Sequence, residues 1–246
     1  MSRTINLLFA ILAYAIFFAT FLALIAFVGD FATVPQTVDR GPDAPVATAV
    51  IINFALIALF GVQHSVMARQ GFKKWWTRVI PEPAERSVYV LMASAVLIVL
   101  MTLWKPIPAT VWDITNPLAA NAVWALFWIG WGMVLLSTFL INHFELFGLQ
   151  QAWLNMIGSK PERHKFHQPL LYKWVRHPLY LGFFLAFWAA PQMTVGHLLL
   201  ALGVSVYMLI AIRYEERDLV SYFGKDYEDY RERVGMLIPR FGRRNA

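Results

Sequence analysis

Four stretches of this chain, residues 5–28, 46–67, 88–104 and 119–141, are almost purely apolar, and each approaches the length of a bilayer crossing. A spanning helix needs about 20 mostly apolar residues, because its backbone polar groups must be satisfied within the segment once water is excluded. A fifth apolar region, residues 179–212, is too long for one crossing, and Pro191 divides it into arms 179–190 and 193–212. Proline removes a backbone donor and clashes with the preceding turn, so this region reads as a helical hairpin that enters and leaves on one side. The expected fold is an all-α integral membrane protein: four transmembrane helices plus a C-terminal helical hairpin. Composition agrees, with 59% hydrophobic and only 15% charged residues, against about 25% charged in a soluble domain.

The charges orient the helices. Residues 30–45 hold Asp30, Asp39 and Asp43 against Arg40, whereas residues 68–87 hold Arg69, Lys73, Lys74, Arg78 and Arg86 against Glu82 and Glu85. Residues 105–118 are neutral, and residues 142–178 carry Lys160, Arg163, Lys165, Lys173 and Arg176 against Glu145 and Glu162. Basic loops stay in the cytoplasm, which places both termini, the second loop and residues 142–178 there. The expected location is the bacterial inner membrane, with the active site on the cytoplasmic side. The net charge of +6 follows from these loops and calls for no nucleic acid. The first apolar stretch lacks a small-residue cleavage pattern and reads as a retained helix. Without cysteine there is no disulfide, thiolate metal site or cysteine nucleophile, and no metal is expected.

Ionisable and aromatic residues gather in three stretches, 142–151 (NHFELFGLQQ), 164–180 (HKFHQPLLYKWVRHPLY) and 213–230 (RYEERDLVSYFGKDYEDY). One membrane domain is expected, with residues 1–141 supplying helices and residues 142–246 supplying a cytoplasmic loop, the hairpin and a cofactor-binding lid. An apolar floor under a few polar groups is the usual balance of a ligand site. Neither a G-x-G-x-x-G loop nor a Walker loop is present. Gly130 and Gly132 lie in a tryptophan-rich helix, where small residues permit close packing.

The segments LYKWVRHPLYLG, EERDL and FGKDYEDYRERV together resemble the isoprenylcysteine carboxyl methyltransferase superfamily, over about the last third of the chain. NHFELFGLQQ, with the short N-terminal helical set, looks most like the branch that methylates methanethiol to dimethyl sulfide. The resemblance implies a membrane enzyme that uses S-adenosyl-L-methionine. It places His164, Tyr172, His177, Tyr180 and Glu216 at cofactor-contacting positions. The glycine usual in the family two residues before the tyrosine is Leu170 here.

The residue types suit that cofactor. Arg176 or His177 is a candidate for its carboxylate, and Glu215 or Glu216 for its ammonium or ribose hydroxyls. Tyr172, Trp174 and Tyr180 offer aromatic faces to adenine or the sulfonium, and His167 joins the cofactor set. Simpler readings stand beside these. Arg176 serves equally as a helix-end anchor, and Trp174 suits the membrane interface. Adjacent Glu215 and Glu216 point differently on a helix, so one of them suffices. Tyr227, Tyr230 and Arg231 tie down the tail, and His64 and His197 are structural.

A thiol acceptor must lose its proton. His143 and Glu145 are the catalytic candidates, with Asn142 and Arg213 assigned to substrate; against this, Asn142 and His143 simply cap a helix while Glu145 pairs with a loop cation. A small apolar thiol arrives from lipid, and no obligate protein partner is expected. Three other readings remain: a methyltransferase for a prenylcysteine or other lipid-borne nucleophile, an NADPH-dependent membrane reductase, and a non-enzymatic heme- or nitric-oxide-linked membrane protein.

Overall fold

The computed structural model describes residues 2–160 and 166–240. Among the described residues, five helices are long and apolar enough to cross a membrane: α1 (Arg3–Val28), α2 (Val46–Ala68), α4 (Glu82–Leu103), α5 (Pro117–Ile141) and α9 (Val195–Phe223). Shorter helices lie between and after them: α3 (Gln70–Trp76), α6 (His143–Leu146), α7 (Leu149–Ile157), α8 (Pro178–Trp188) and α10 (Lys225–Arg233). The apolar arms on either side of Pro191 are the helices α8 and α9, with the break expected of a proline between them.

Three expectations need correction. The chain is not purely helical: strands β1 (Thr110–Asp113) and β2 (Gln192–Thr194) form a small antiparallel ribbon with Thr110 opposite Thr194. It satisfies backbone groups where Pro191 has broken the helix. The second arm does not stop at residue 212; α9 continues to Phe223, so Arg213, Glu215 and Glu216 stand on a helix. Gly132 is not a packing glycine, since a Cβ there would meet nothing within 4 Å.

The described residues form two compact units. The first comprises residues 2–114, 142–160 and 191–204. In it, α4 packs against α1 and α2, and α1 also meets α7. At one end the loop after α1 is tied down by polar contacts. Trp104 donates Nε1 to the Val38 carbonyl at 3.1 Å, and Asn53 on α2 exchanges two hydrogen bonds with the Lys105 backbone, at 2.7 and 2.9 Å. Thr194 donates its hydroxyl to Asp39 at 2.5 Å, and His197 Nδ1 lies 4.0 Å from the same carboxylate. At the other end, Arg86 Nε donates to the Leu146 carbonyl at 2.6 Å, and His64 Nε2 lies 2.8 Å from the Tyr89 hydroxyl. The two helical histidines thus have partners from other elements, as structural histidines need.

The second unit comprises residues 115–141, 166–190 and 205–240. Its main contact runs between α5 and α8, and glycines set the distance. A Cβ on Gly130 would sit 2.7 Å from the Gly182 carbonyl oxygen, and a Cβ on Gly182 2.7 Å from the Gly130 oxygen. Without side chains the two backbones touch, the usual route to helix association where lipid removes the hydrophobic drive.

Candidate functional site

The site in the second unit begins at a strained turn. Leu170, where the family pattern has glycine, adopts φ +40, a left-handed conformation that L side chains resist. It opens a 3-10 turn, Leu170–Lys173. The chain then runs alongside the C-terminal tail. Arg176 N donates to the Gly235 carbonyl at 2.8 Å and His177 N to that of Met236 at 3.1 Å. Pro178 starts α8, where its missing donor costs nothing. The motif R-H-P is therefore a seam between the turn, the tail and a helix start.

Two buried side chains from this seam meet α9. Arg176 Nε donates to Glu216 Oε1 at 2.8 Å, and its Nη1 donates to the carbonyls of Arg231 at 2.9 Å and Val234 at 2.5 Å. His177 Nε2 lies 3.1 Å from Glu216 Oε1, and Arg231 Nε 3.2 Å from Oε2. Both Glu216 oxygens are engaged within the protein. Arg176 is consequently neither a lipid-facing anchor nor an open anion site, because three of its donor bonds hold α9 and the tail. Glu215 is the outward carboxylate of the pair. Its side chain is 43% exposed against 10% for Glu216, and it reaches to 3.9 Å from His177 Nδ1.

Aromatic residues complete the cluster. Tyr180 meets the His177 ring edge-on at 5.7 Å between centroids. Tyr230 donates its hydroxyl to the Tyr172 carbonyl at 2.6 Å, so Tyr230 and Arg231 do hold the tail. Burial, reinforced by the nearby carboxylates, pushes the hydroxyls of Tyr172, Tyr227 and Tyr230 far above the usual phenol range, and they remain donors at any physiological pH. The Tyr227 side chain is 2% exposed, and its buried hydroxyl has no hydrogen-bond partner among the described residues. A buried donor left without an acceptor is unusual. Of the remaining cofactor candidates, His167 and Trp174 are exposed and His164 lies outside the described residues; Arg213, assigned to substrate, is also exposed.

The acceptor candidates belong to the first unit. Asn142 caps the single turn α6, accepting from the Glu145 amide at 3.3 Å, while its own amide donates to Glu145 Oε2 at 3.0 Å and Gln150 Oε1 at 2.6 Å. Glu145 is thus held by an amide. Gly148, at φ +90, then turns the chain into α7, and a Cβ there would sit 2.5 Å from Ser87 Oγ. His143 is 4% exposed. Its Nε2 lies 2.8 Å from the Tyr14 hydroxyl on α1, and Phe144 and Phe147 stand edge-on to its ring at 5.5 and 4.9 Å. Burial lowers its pKa below the usual imidazole value, because the apolar rings disfavour the cation. Sequence reasoning missed Tyr14: one tyrosine in a helix of apolar residues, 129 positions from its partner, carries no signal that links the two.

Five helices of spanning length among the described residues, with a buried ionic cluster on the last of them, define a multi-pass membrane protein. The chain is 51% identical over 97% of its length, and 98% of the relative's, to the methanethiol S-methyltransferase of Mycobacterium tuberculosis. Methanethiol S-methyltransferases 1 and 2 of Bradyrhizobium diazoefficiens are 51% and 48% identical over 96% and 100% of this chain, and over 83% and 94% of their own lengths. No solved structure gives a significant match. The pattern of the NnrU protein family matches residues 52–237. The chain belongs to the NnrU family, an isoprenylcysteine-methyltransferase-like group.

Proposed function

We propose that this protein transfers a methyl group from S-adenosyl-L-methionine to methanethiol, giving dimethyl sulfide. The observation that carries this reading is the near-complete mutual coverage of chain and relative at 51% identity.

The second unit's cluster suits the methyl donor. Glu215 is the carboxylate for the ammonium or the ribose, the Tyr227 hydroxyl is a buried donor in search of an acceptor, and Tyr172 and Tyr180 offer ring faces to adenine or the sulfonium. Arg176 and Glu216 act by holding these groups in place. When bound, S-adenosylmethionine supplies an electrophilic methyl carbon. For the acceptor's proton, the neutral imidazole of His143 is the candidate, and Asn142 and Glu145 brace its turn.

The contacts also support four crossings followed by a hairpin. The hairpin tip at Thr194 bonds Asp39 in the loop after α1, and β2 pairs with β1 in the loop after α4. Both loops follow an odd number of crossings, so the tip reaches their face and the hairpin's two ends return to the other. Basic residues mark that other face as cytoplasmic in a bacterial inner membrane.

The test is turnover by purified protein in detergent, with dimethyl sulfide measured in the headspace, and calorimetry with S-adenosylhomocysteine and with NADPH. Dimethyl sulfide formation and S-adenosylhomocysteine binding are expected. Binding of NADPH alone, or methylation of a prenylcysteine but not of methanethiol, would overturn the assignment.

A further inference from the structure

The Tyr14 hydroxyl lies within hydrogen-bonding distance of the imidazole nitrogen His143 would use as a base. His143 is 4% exposed, and Phe144 and Phe147 crowd its ring. Tyr14 Oη lies 2.8 Å from Nε2. The Tyr14 side chain is partly exposed on α1, among Phe17 at 6.1 Å, Phe18 at 6.3 Å and Phe147 at 6.1 Å between ring centroids. A thiol arriving from lipid therefore meets an apolar, aromatic surface whose polar point is a phenol, while the imidazole behind it is covered.

We propose that Tyr14 is a catalytic residue, the group that touches the thiol, and that His143 acts through it. This rests on the reading of the protein as a methanethiol methyltransferase with His143 as proton acceptor. In the resting state the Tyr14 hydroxyl donates to Nε2 of the neutral ring. As the thiol reacts, its S–H bond breaks and the proton passes to Tyr14 Oη, while the proton already on Oη passes to Nε2. The sulfur electron pair released by the S–H bond forms the new carbon–sulfur bond. The pair of the methyl–sulfonium bond leaves on S-adenosylhomocysteine. The net products are dimethyl sulfide, S-adenosylhomocysteine and an imidazolium that returns its proton to solvent. Two protons move together, and Tyr14 ends each turnover as it began, so no oxidant or further reactant is needed. Hydrogen-bond reach is the first requirement of a general base, and here it is met at Tyr14.

The experiment is a pH–rate profile with methanethiol for wild type, Tyr14→Phe and His143→Ala, together with S-adenosylhomocysteine affinity for each. Loss of a general base costs about 10²–10⁴-fold in rate. Both variants are expected to lose this at neutral pH, to bind S-adenosylhomocysteine like wild type, and to recover as rising pH ionises the thiol in solution. Tyr14→Phe keeps the ring, so the aromatic packing survives. A slow His143→Ala beside a normal Tyr14→Phe would overturn the relay and leave His143 as base. Normal rates in both would overturn the His143 reading as well. A Tyr14→Phe defect equal at every pH would show a packing role and overturn the proposal.

Discussion

Arg176 and Glu216, 40 residues apart in sequence, form an ion pair at 2.8 Å with side chains 8% and 10% exposed. Neither charge is stable alone so far from water. Their mutual attraction offsets desolvation with the help of the carbonyls of Arg231 and Val234, which accept from Nη1 of the guanidinium, and of His177 and Arg231, which lie against the carboxylate. The pair joins the R-H-P seam to α9 and the tail, and so determines where Glu215, Tyr227 and Tyr180 stand.

Removing one partner should therefore be worse than removing both. Arg176→Ala is expected to destabilise by about 3–5 kcal/mol, since it strands a buried carboxylate, whereas Arg176→Met with Glu216→Leu should lose less. Thermal unfolding in detergent measures both. A double variant as unstable as the sum of the two single ones would mean the charges do not depend on each other.

Leu170 is held at φ +40 while its side chain is 63% exposed. Left-handed geometry costs an L residue roughly 1–2 kcal/mol, and glycine's extra unfolded-state freedom returns about 0.5–1. Leu170→Gly should raise stability by up to about 1 kcal/mol and Leu170→Ala should not. Equal midpoints for the two variants in a denaturant titration would remove strain as the explanation.

The glycines of α5 and α8 make a paired test. At Gly182 an added Cβ would come within 2.7 Å of the Gly130 oxygen and 2.8 Å of the Val134 nitrogen, both backbone atoms that cannot swing away. Gly182→Ala should cost about 1–3 kcal/mol, as overpacking does, while Gly132→Ala, with no atom near, should be neutral or better. Melting temperatures that fall alike in both would point to glycine's backbone freedom instead of the close approach.

His143 gives stability a pH dependence of known sign. Burial lowers its pKa in the folded state, so the unfolded chain binds the extra proton more readily. Its contribution is full above the ordinary imidazole value near 6.5 and is lost as pH falls below it. His143→Gln should flatten the acid side of a plot of unfolding temperature against pH between about 7 and 5. An unchanged slope would mean that folding leaves the imidazole's proton affinity where it is in the unfolded chain.

Topology is checked by single cysteines at Lys73 and Lys160, which should react with an impermeant thiol reagent from the same face of the membrane. Lys160 is exposed and Lys73 is partly covered, so a longer-armed reagent suits Lys73. Labelling from opposite faces would exclude the hairpin.

The sequence by itself determined the apolar spans, the break at Pro191, the charge bias of the loops and the motif residues of the C-terminal third. These features are local: a spanning helix satisfies its own backbone, and proline acts on its own turn. It also singled out Arg176, His177, Glu215 and Glu216 as a group, but not their division of labour. Only the tertiary structure decided that Glu216 faces inward to Arg176 while Glu215 faces out, because adjacent helix residues differ by about 100° and packing chooses between them. The ribbon of β1 and β2 was equally hidden, since each strand is three or four residues long and exists through a partner far away in sequence, Thr110 opposite Thr194. The same holds for Tyr14 and His143: one hydroxyl among apolar residues gains its partner only when the packing of α1 brings it to a buried imidazole.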